Sequence, residues 1–405
     1  MVIQKEGEKT FVKKVKTLRN SMEFSHGMRR ALTSALMLIY FVSLGFNIFW
    51  ITTLFAVSTI IMVFFEFPTG AIADYDSRKK SMMISFFLIF VSFLGLFLFK
   101  QFWILAGFLI LGDIAWTFTS GASSAWAIDA LNYAKQKSKI VNLISRGYFS
   151  EKSGRVLGGL IGFFIVAINF RVVWLVISLL YLGLFFIIWK YMEERNFVPE
   201  NVPHNYLKKS LIKAKESFQF IFHKNSRELR VLLLGDVFGV LAISSFFITV
   251  PLFITETLNF NPEYVPLIFS FIAVVTLSAP FLTEKLADKK GYRFSLFFAW
   301  GLISLSMFVF SIPHAIIWAI IGLGILGFAE VINNILQEAV MHQEYSSKLR
   351  ASLGSVSSIS WSITNSMGVF FAGLGIHYFG ISSVIYISGG ISLFTALIYF
   401  LGLKK

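Results

Sequence analysis

Four carboxylates stand where a carboxylate is expensive. Asp113, Asp236, Glu330 and Glu338 each interrupt a long apolar stretch of the 405-residue chain. Charge deep in hydrocarbon is costly, so each is a functional candidate by default. Desolvation disfavours the ionised form, which suits a group that must load and release a proton. Asp113 shares one helical face with Trp116, Thr117, Ser120 and Ser124, at spacings of three and four. Glu330 is followed by Asn333, Asn334, Gln337 and Glu338, again mostly on one face. The amides read two ways: as ligands of a small molecule, or as hydrogen bonds between helices, a contact worth about 0.6 kcal/mol. A second charged group is Glu151, Lys152 and Arg155. Glu151 and Arg155 lie four apart and can neutralise one another; alternatively Arg155 contacts a substrate or relays a proton. Trp116 and Trp361 can stack on an amphiphile or serve as core.

The elements that must position these residues are apolar segments of roughly 20 residues, enough to cross a core of ~30 Å. Twelve fit, near 28–46, 50–73, 81–99, 102–131, 141–168, 171–191, 230–257, 264–285, 294–312, 315–345, 350–377 and 381–402. Composition agrees. Hydrophobic residues make up 56% and charged residues 14%, whereas a soluble domain carries about 25% charge. Without Cys there are no disulfides, thiolate metal sites or cysteine catalysis, and the six His have no metal-ligand spacing. No metal and no cofactor is expected.

Lys and Arg fix the orientation. Counting Arg29 and Arg30 with the N-terminal segment, 32 of the 36 fall on one side, Lys100 and Arg171 on the other, and Lys152 and Arg155 within the fifth span. Both termini are therefore expected in the cytoplasm, and the net charge of +14 reads as a topology signal with some attraction to anionic lipid rather than to nucleic acid. Residues 1–27 form a cytoplasmic tail on this reading, 28–191 a first half, 192–229 a cytoplasmic linker and 230–405 a second half. Within the linker, Leu207, Leu211, Ile212, Phe218, Ile221 and Phe222 interleave with Lys208, Lys209, Lys213 and Lys215. That pattern predicts a helix lying on the inner membrane surface, or a solvated linker that is partly helical.

The stretch from Glu66 to Lys80 joins spans 2 and 3 and contains Gly70, Asp74, Arg78 and Lys79. Gly70 would let another backbone come close, and Arg78 offers a planar fork of donors. Ala73-Asp74 recurs as Ala287-Asp288, 214 residues on, in a loop that ends at Arg293. The same offset carries spans 3 and 4 onto spans 9 and 10.

Gly70-x-x-x-Asp74-x-x-x-Arg78-Lys79, placed between two spans, resembles the loop signature of the major facilitator superfamily of secondary transporters. The resemblance implies an all-α integral membrane protein, with twelve transmembrane helices in two pseudo-symmetric six-helix bundles. It also implies a central cavity lined by spans 1, 4, 7 and 10, and a switch loop whose Arg78 engages Asp129. Gly154-x-x-x-Gly158-Gly159-x-x-Gly162 in span 5 resembles the glycine signature of proton-driven antiporters, without its proline. The expected function is proton-coupled export of small amphiphilic or drug-like compounds by a monomer in the plasma membrane. A nutrient-uptake symporter is the alternative. A membrane-embedded enzyme would need a nucleophile–base pair or metal cluster that the chain does not offer, and no ATP-binding loop is present.

Overall fold

The computed structural model describes residues 2–120, 122–136, 140–195, 227–276, 279–312, 315–344 and 350–403. Among the described residues every regular element is helical. In chain order they are α1 (Val2–Ser43), α2 (Ile48–Ala71), a π turn (Ile72–Asp76), α3 (Arg78–Leu98), α4 (Phe102–Ser120), α5 (Ala122–Tyr133), α6 (Ile140–Ile168) and α7 (Val172–Tyr191). After the linker come α8 (Arg227–Leu252), a second π turn (Phe253–Thr257), α9 (Tyr264–Val275), α10 (Ala279–Phe310), α11 (Ile316–Glu344), α12 (Arg350–Phe379) and α13 (Ile381–Gly402).

Nine of the described helical stretches are long and apolar enough to cross a membrane. The remaining expected spans fall on α1, α6 and the α9 region. Two of these carry charge in their interiors, Arg29 and Arg30 on α1 and the Glu151 group on α6. The sequence repeat has a structural counterpart: α4 begins at Phe102 and α11 at Ile316, 214 residues apart.

The chain forms two compact units, Met1–Tyr40 with Ile61–Leu207, and Phe41–Ile60 with Lys208–Lys405. In the first, α3 packs on α4 and α7. Small serines let the backbones approach and tie them. Ser81, Ser85 and Ser92 donate to the carbonyls of Phe118, Ala115 and Phe108 at 2.6, 2.7 and 2.6 Å, running down α3 as the partners run up α4. Ser178 of α7 donates to Phe90 O at 3.0 Å. In the second unit α10 packs on α11 and α13, and α8 on α12 and α13. There Ser304 donates to Gly389 O at 2.8 Å, and Ser245 to Gly368 O at 2.9 Å. Serine-rich span 11 is thus a packing surface at Ser362 and Ser366, both buried.

Several boundaries differ from the sequence reading. The expected tail is helical from Val2 and continuous with the first span, burying Phe11, Val12, Val15, Leu18 and Met22. The tight turn between spans 1 and 2 is Leu44–Asn47, closed by Gly45 at φ 85, a left-handed conformation that favours glycine. Residues 41–60 belong with the second unit rather than the first. In the second copy of the switch loop only Gly291, at φ 75, departs from helix, so a kink replaces the loop. The linker helix expected over 207–223 lies outside the described residues.

Candidate functional site

The switch loop of the first unit is mostly helix. α2 runs on to Ala71, the π turn follows, and Ser77 alone is extended, at φ −170. Ser77 caps α3, its Oγ accepting from Lys80 N at 3.0 Å. Arg78 Nη1 donates to Asp129 Oδ2 of α5, joining the two residues that the resemblance paired. Lys79 Nζ donates to the carbonyls of Trp189 and Met192, both at 2.9 Å. Gly70 does not serve a close approach: a Cβ there would meet nothing within 4 Å. The side chain of Asp74 lies outside the described residues, as do those of Asp288 and Glu338.

Two residues absent from the sequence reading complete this cluster, Glu193 and Glu194 at the end of α7. Glu194 accepts from Ser77 Oγ at 2.5 Å and from the Arg78 N–H at 2.9 Å. Its carboxylate thus sits on the positive end of the α3 dipole. Glu193 pairs with Lys14 of α1 at 2.6 Å and with Arg195 at 2.7 Å. Lys14 first, and Arg195 with it, hold the Glu193 carboxyl below the usual carboxylate range. Trp126 Nε1 donates to Glu193 O at 3.0 Å, and Arg195 stacks over Phe11 at 4.3 Å. The N-terminal part of α1 and the ends of α3, α5 and α7 are thereby strapped together. The signal was available as Glu193-Glu194-Arg195 directly after a span, but a linker full of charge hides it.

A second cluster lies inside the first unit. Gly27 of α1 and Gly154 and Gly158 of α6 form a seam without side chains; a Cβ on Gly158 would stand 2.8 Å from Met28 O. A Cβ on Gly27 or Gly154 would strike the backbone carbonyl of Glu151 or Phe24. The glycine run therefore serves close packing of α6 on α1. That approach puts Glu151, 6% exposed, against Arg155 at 2.7 Å, Arg30 at 3.3 Å and Lys152 at 3.8 Å. Arg29 and Arg30 both lie over the Trp116 ring, 4.7 and 5.7 Å from its centroid. Arg29 Nε donates to Tyr181 OH at 3.0 Å, and that hydroxyl lies 2.8 Å from His26 Nδ1. Arg29 and Arg30 were counted with the basic tail. They sit within α1 instead, 14 and 13 residues before its end at Ser43, roughly 20 Å along the axis.

The second unit holds a polar network. Trp300 Nε1 donates to Asn333 Oδ1 at 2.7 Å, and Asn333 Nδ2 to Gln337 Oε1 at 3.2 Å. Gln337 Nε2 donates to Tyr399 OH at 2.7 Å and to Asp236 Oδ1 at 3.2 Å. Asn333 and Gln337, 3% and 8% exposed, point into their own bundle and bind neighbouring helices, the second of the two sequence readings. Asp236 lies nine residues into α8, roughly 14 Å along its axis. No Lys or Arg pairs with it among the described residues.

Of the other candidates, Asp113 and Glu330 are half-buried, and Asn334 and Trp361 are exposed. Ser120 is exposed and bonds back to Thr117 O at 3.4 Å. Arg293 stacks on Phe400 at 4.6 Å. No group of three or more His, Asp or Glu that could hold a metal occurs among the described residues.

Nine described helices long and apolar enough to cross a membrane, with polar clusters among the helices and a charged hinge at one end, are the features of an integral membrane protein. The family model of the Major Facilitator Superfamily matches residues 21–369, and the chain belongs to that superfamily of transporters. No curated protein matches it in sequence. Among solved structures it is similar to a single-residue mutant of the nucleoside transporter NupG, at TM-score 0.78 and 15% identity, over 96% of this chain and 100% of that one. It is similar to the POT family transporter PepTSo at TM-score 0.73 and 15% identity, over 97% of each chain. A D-xylose-proton symporter gives TM-score 0.70 and 14% identity over 98% of each.

Proposed function

We propose that this chain is a proton-coupled secondary transporter of small organic molecules, working by alternating access in the plasma membrane. Its charge bias supports placing both termini in the cytoplasm, and it acts as a monomer in contact with membrane lipid. The observation that carries proton coupling is Asp236. It sits in the interior of α8, accepts from the neutral amide of Gln337, and has no cation partner among the described residues. An uncompensated carboxylate is costly there, and protonation removes the charge. Asp236 therefore stands ahead of Glu330, Asp113 and Glu338 as the coupling acid. Arg155 and the exposed Ser120, Asn334 and Trp361 remain the groups offered to substrate, with Trp116 lying under Arg29 and Arg30.

Export of amphiphilic compounds is the direction favoured by the mixture of aromatics and acids. Uptake is the second reading, supported by the likeness in fold to a D-xylose-proton symporter. The strap of Arg78, Asp129, Glu194 and Lys79 is the conformational switch, with Gly70 in the helix that leads into it, Asp74 in the turn, and Asp288 and Arg293 at the kinked repeat. Purified protein in proteoliposomes tests the reading. An imposed pH gradient should drive accumulation of a labelled compound, and collapse of the gradient should release it. Accumulation indifferent to the gradient contradicts proton coupling.

A further inference from the structure

The basic cluster of the first unit brings Arg29, Arg30, Lys152 and Arg155 together. Arg30, Lys152 and Arg155 face one carboxylate, Glu151, while Arg29 lies with Arg30 over the Trp116 ring. Glu151 is satisfied by Arg155 and Arg30 at hydrogen-bond distance. Arg29 takes no share of it, and no carboxylate pairs with Arg29 among the described residues.

Arg29 is nonetheless held in place. Its Nε is spent on Tyr181 OH, and its guanidinium plane lies over Trp116. His26, whose ring centroid is 4.8 Å from that of Trp116, closes the other flank. The two terminal amino groups of Arg29 make no hydrogen bond to the protein among the described residues. A guanidinium fixed by its Nε and its face, with its fork left over, is arranged for a planar oxyanion. A guanidinium within a membrane helix bundle that lacks a carboxylate partner is costly, and an incoming anion offsets that cost.

We infer that this cluster is a binding site for the oxyanion of a small organic anion, a carboxylate or phosphate ester, with Arg29 as its principal donor and Arg30, Lys152 and Arg155 completing the positive field. The inference rests on the transporter reading and names the class of substrate. Tyr181 and Trp116 are positioning residues: they fix the Arg29 fork without touching the anion.

The test uses the full chain in detergent, with benzoate, phenyl phosphate, benzyl alcohol and benzylamine as probes of the same aryl body and different charge. Thermal unfolding is followed against probe concentration. Benzoate or phenyl phosphate should raise the unfolding temperature saturably, and the two arms distinguish carboxylate from phosphate. Arg29→Gln should weaken that affinity by about tenfold or more, and Arg29→Lys should restore part of it. If Arg29→Gln shows no cooperative unfolding, Arg30→Gln is read in its place, with a smaller loss of the same sign. Stabilisation by benzyl alcohol or benzylamine alone, no saturable effect of either anion, or unchanged anion affinity in the Arg29 and Arg30 variants would overturn the site. Uptake of benzylamine driven by a pH gradient, without anion binding, would overturn this inference and leave proton coupling standing. Anion binding without gradient-driven uptake would do the reverse.

Discussion

Arg78 reaches in two directions at once: its guanidinium pairs with Asp129 on α5, and its backbone N–H donates to Glu194 beyond α7. One residue thus ties the start of α3 to two helix ends that lie 51 and 116 residues away in the chain. Asp129→Asn and Arg78→Gln should each lower the initial transport rate by about tenfold while leaving a folded protein. The double variant should be no slower than the worse single one, because both remove the same pair. Additive losses in initial-rate measurements would show that the residues act separately.

Glu194 contributes to stability by another route. It joins Ser77 Oγ and the first N–H of α3, so Glu194→Gln should cost about 1 kcal/mol, in the range for charges at helix ends. Glu194→Ala should cost more, since it also strands the N–H. Thermal unfolding in detergent measures both, and equal melting points for all three proteins would remove Glu194 from the strap.

Glu193 gives that strap a pH dependence with a definite sign. Its carboxyl is held low by Lys14 and Arg195, so the native state binds its proton less readily than the unfolded chain. The stability it contributes is present above the unfolded carboxylate value of about 4.3 and is lost as pH falls through the lower native value. Glu193→Gln should flatten the acid side of the unfolding-temperature profile. An unchanged profile would mean that the pairs with Lys14 and Arg195 do not persist in solution.

Glycines separate packing from hinge. Gly154→Val drives a side chain into the Phe24 carbonyl and should abolish a monodisperse folded peak in size-exclusion chromatography. Gly70 has open space around its missing Cβ and an ordinary helical backbone. Gly70→Ala should therefore be neutral or stabilising by up to ~1 kcal/mol. A collapse of Gly70→Ala and tolerance of Gly154→Val would reverse these assignments.

Orientation follows from the charge count and is checked by labelling. Cysteine at Lys289, exposed on the basic side, should be shielded from an impermeant thiol reagent in intact cells. Cysteine at Gln101, exposed between α3 and α4, should react. The opposite pattern would invert the molecule.

How much of this could be read from the chain depends on whether the signal was local. The helices followed from hydropathy, a property of contiguous residues, and the Arg78–Asp129 pair from the resemblance of the loop between spans 2 and 3 to a family signature. The role of Asn333 and Gln337 did not follow, because one face of α11 looks the same whether it meets solvent or Trp300, Tyr399 and Asp236. Arg29 and Arg30 were hidden by their neighbours: a basic pair continuous with a basic segment reads as its end. What places them inside is the Gly27–Gly154 seam between α1 and α6, a contact across more than a hundred residues.

The claim that most needs a direct measurement is that Asp236 carries the coupling proton. In proteoliposomes holding Asp236→Asn, uphill accumulation driven by a pH gradient should be lost, while exchange of labelled for unlabelled substrate at equal concentrations persists. The amide keeps the size of the side chain and a hydrogen-bonding site for Gln337, but it cannot release a proton. Accumulation at the wild-type level in that variant would contradict the account and return Glu330, Asp113 and Glu338 to the same question.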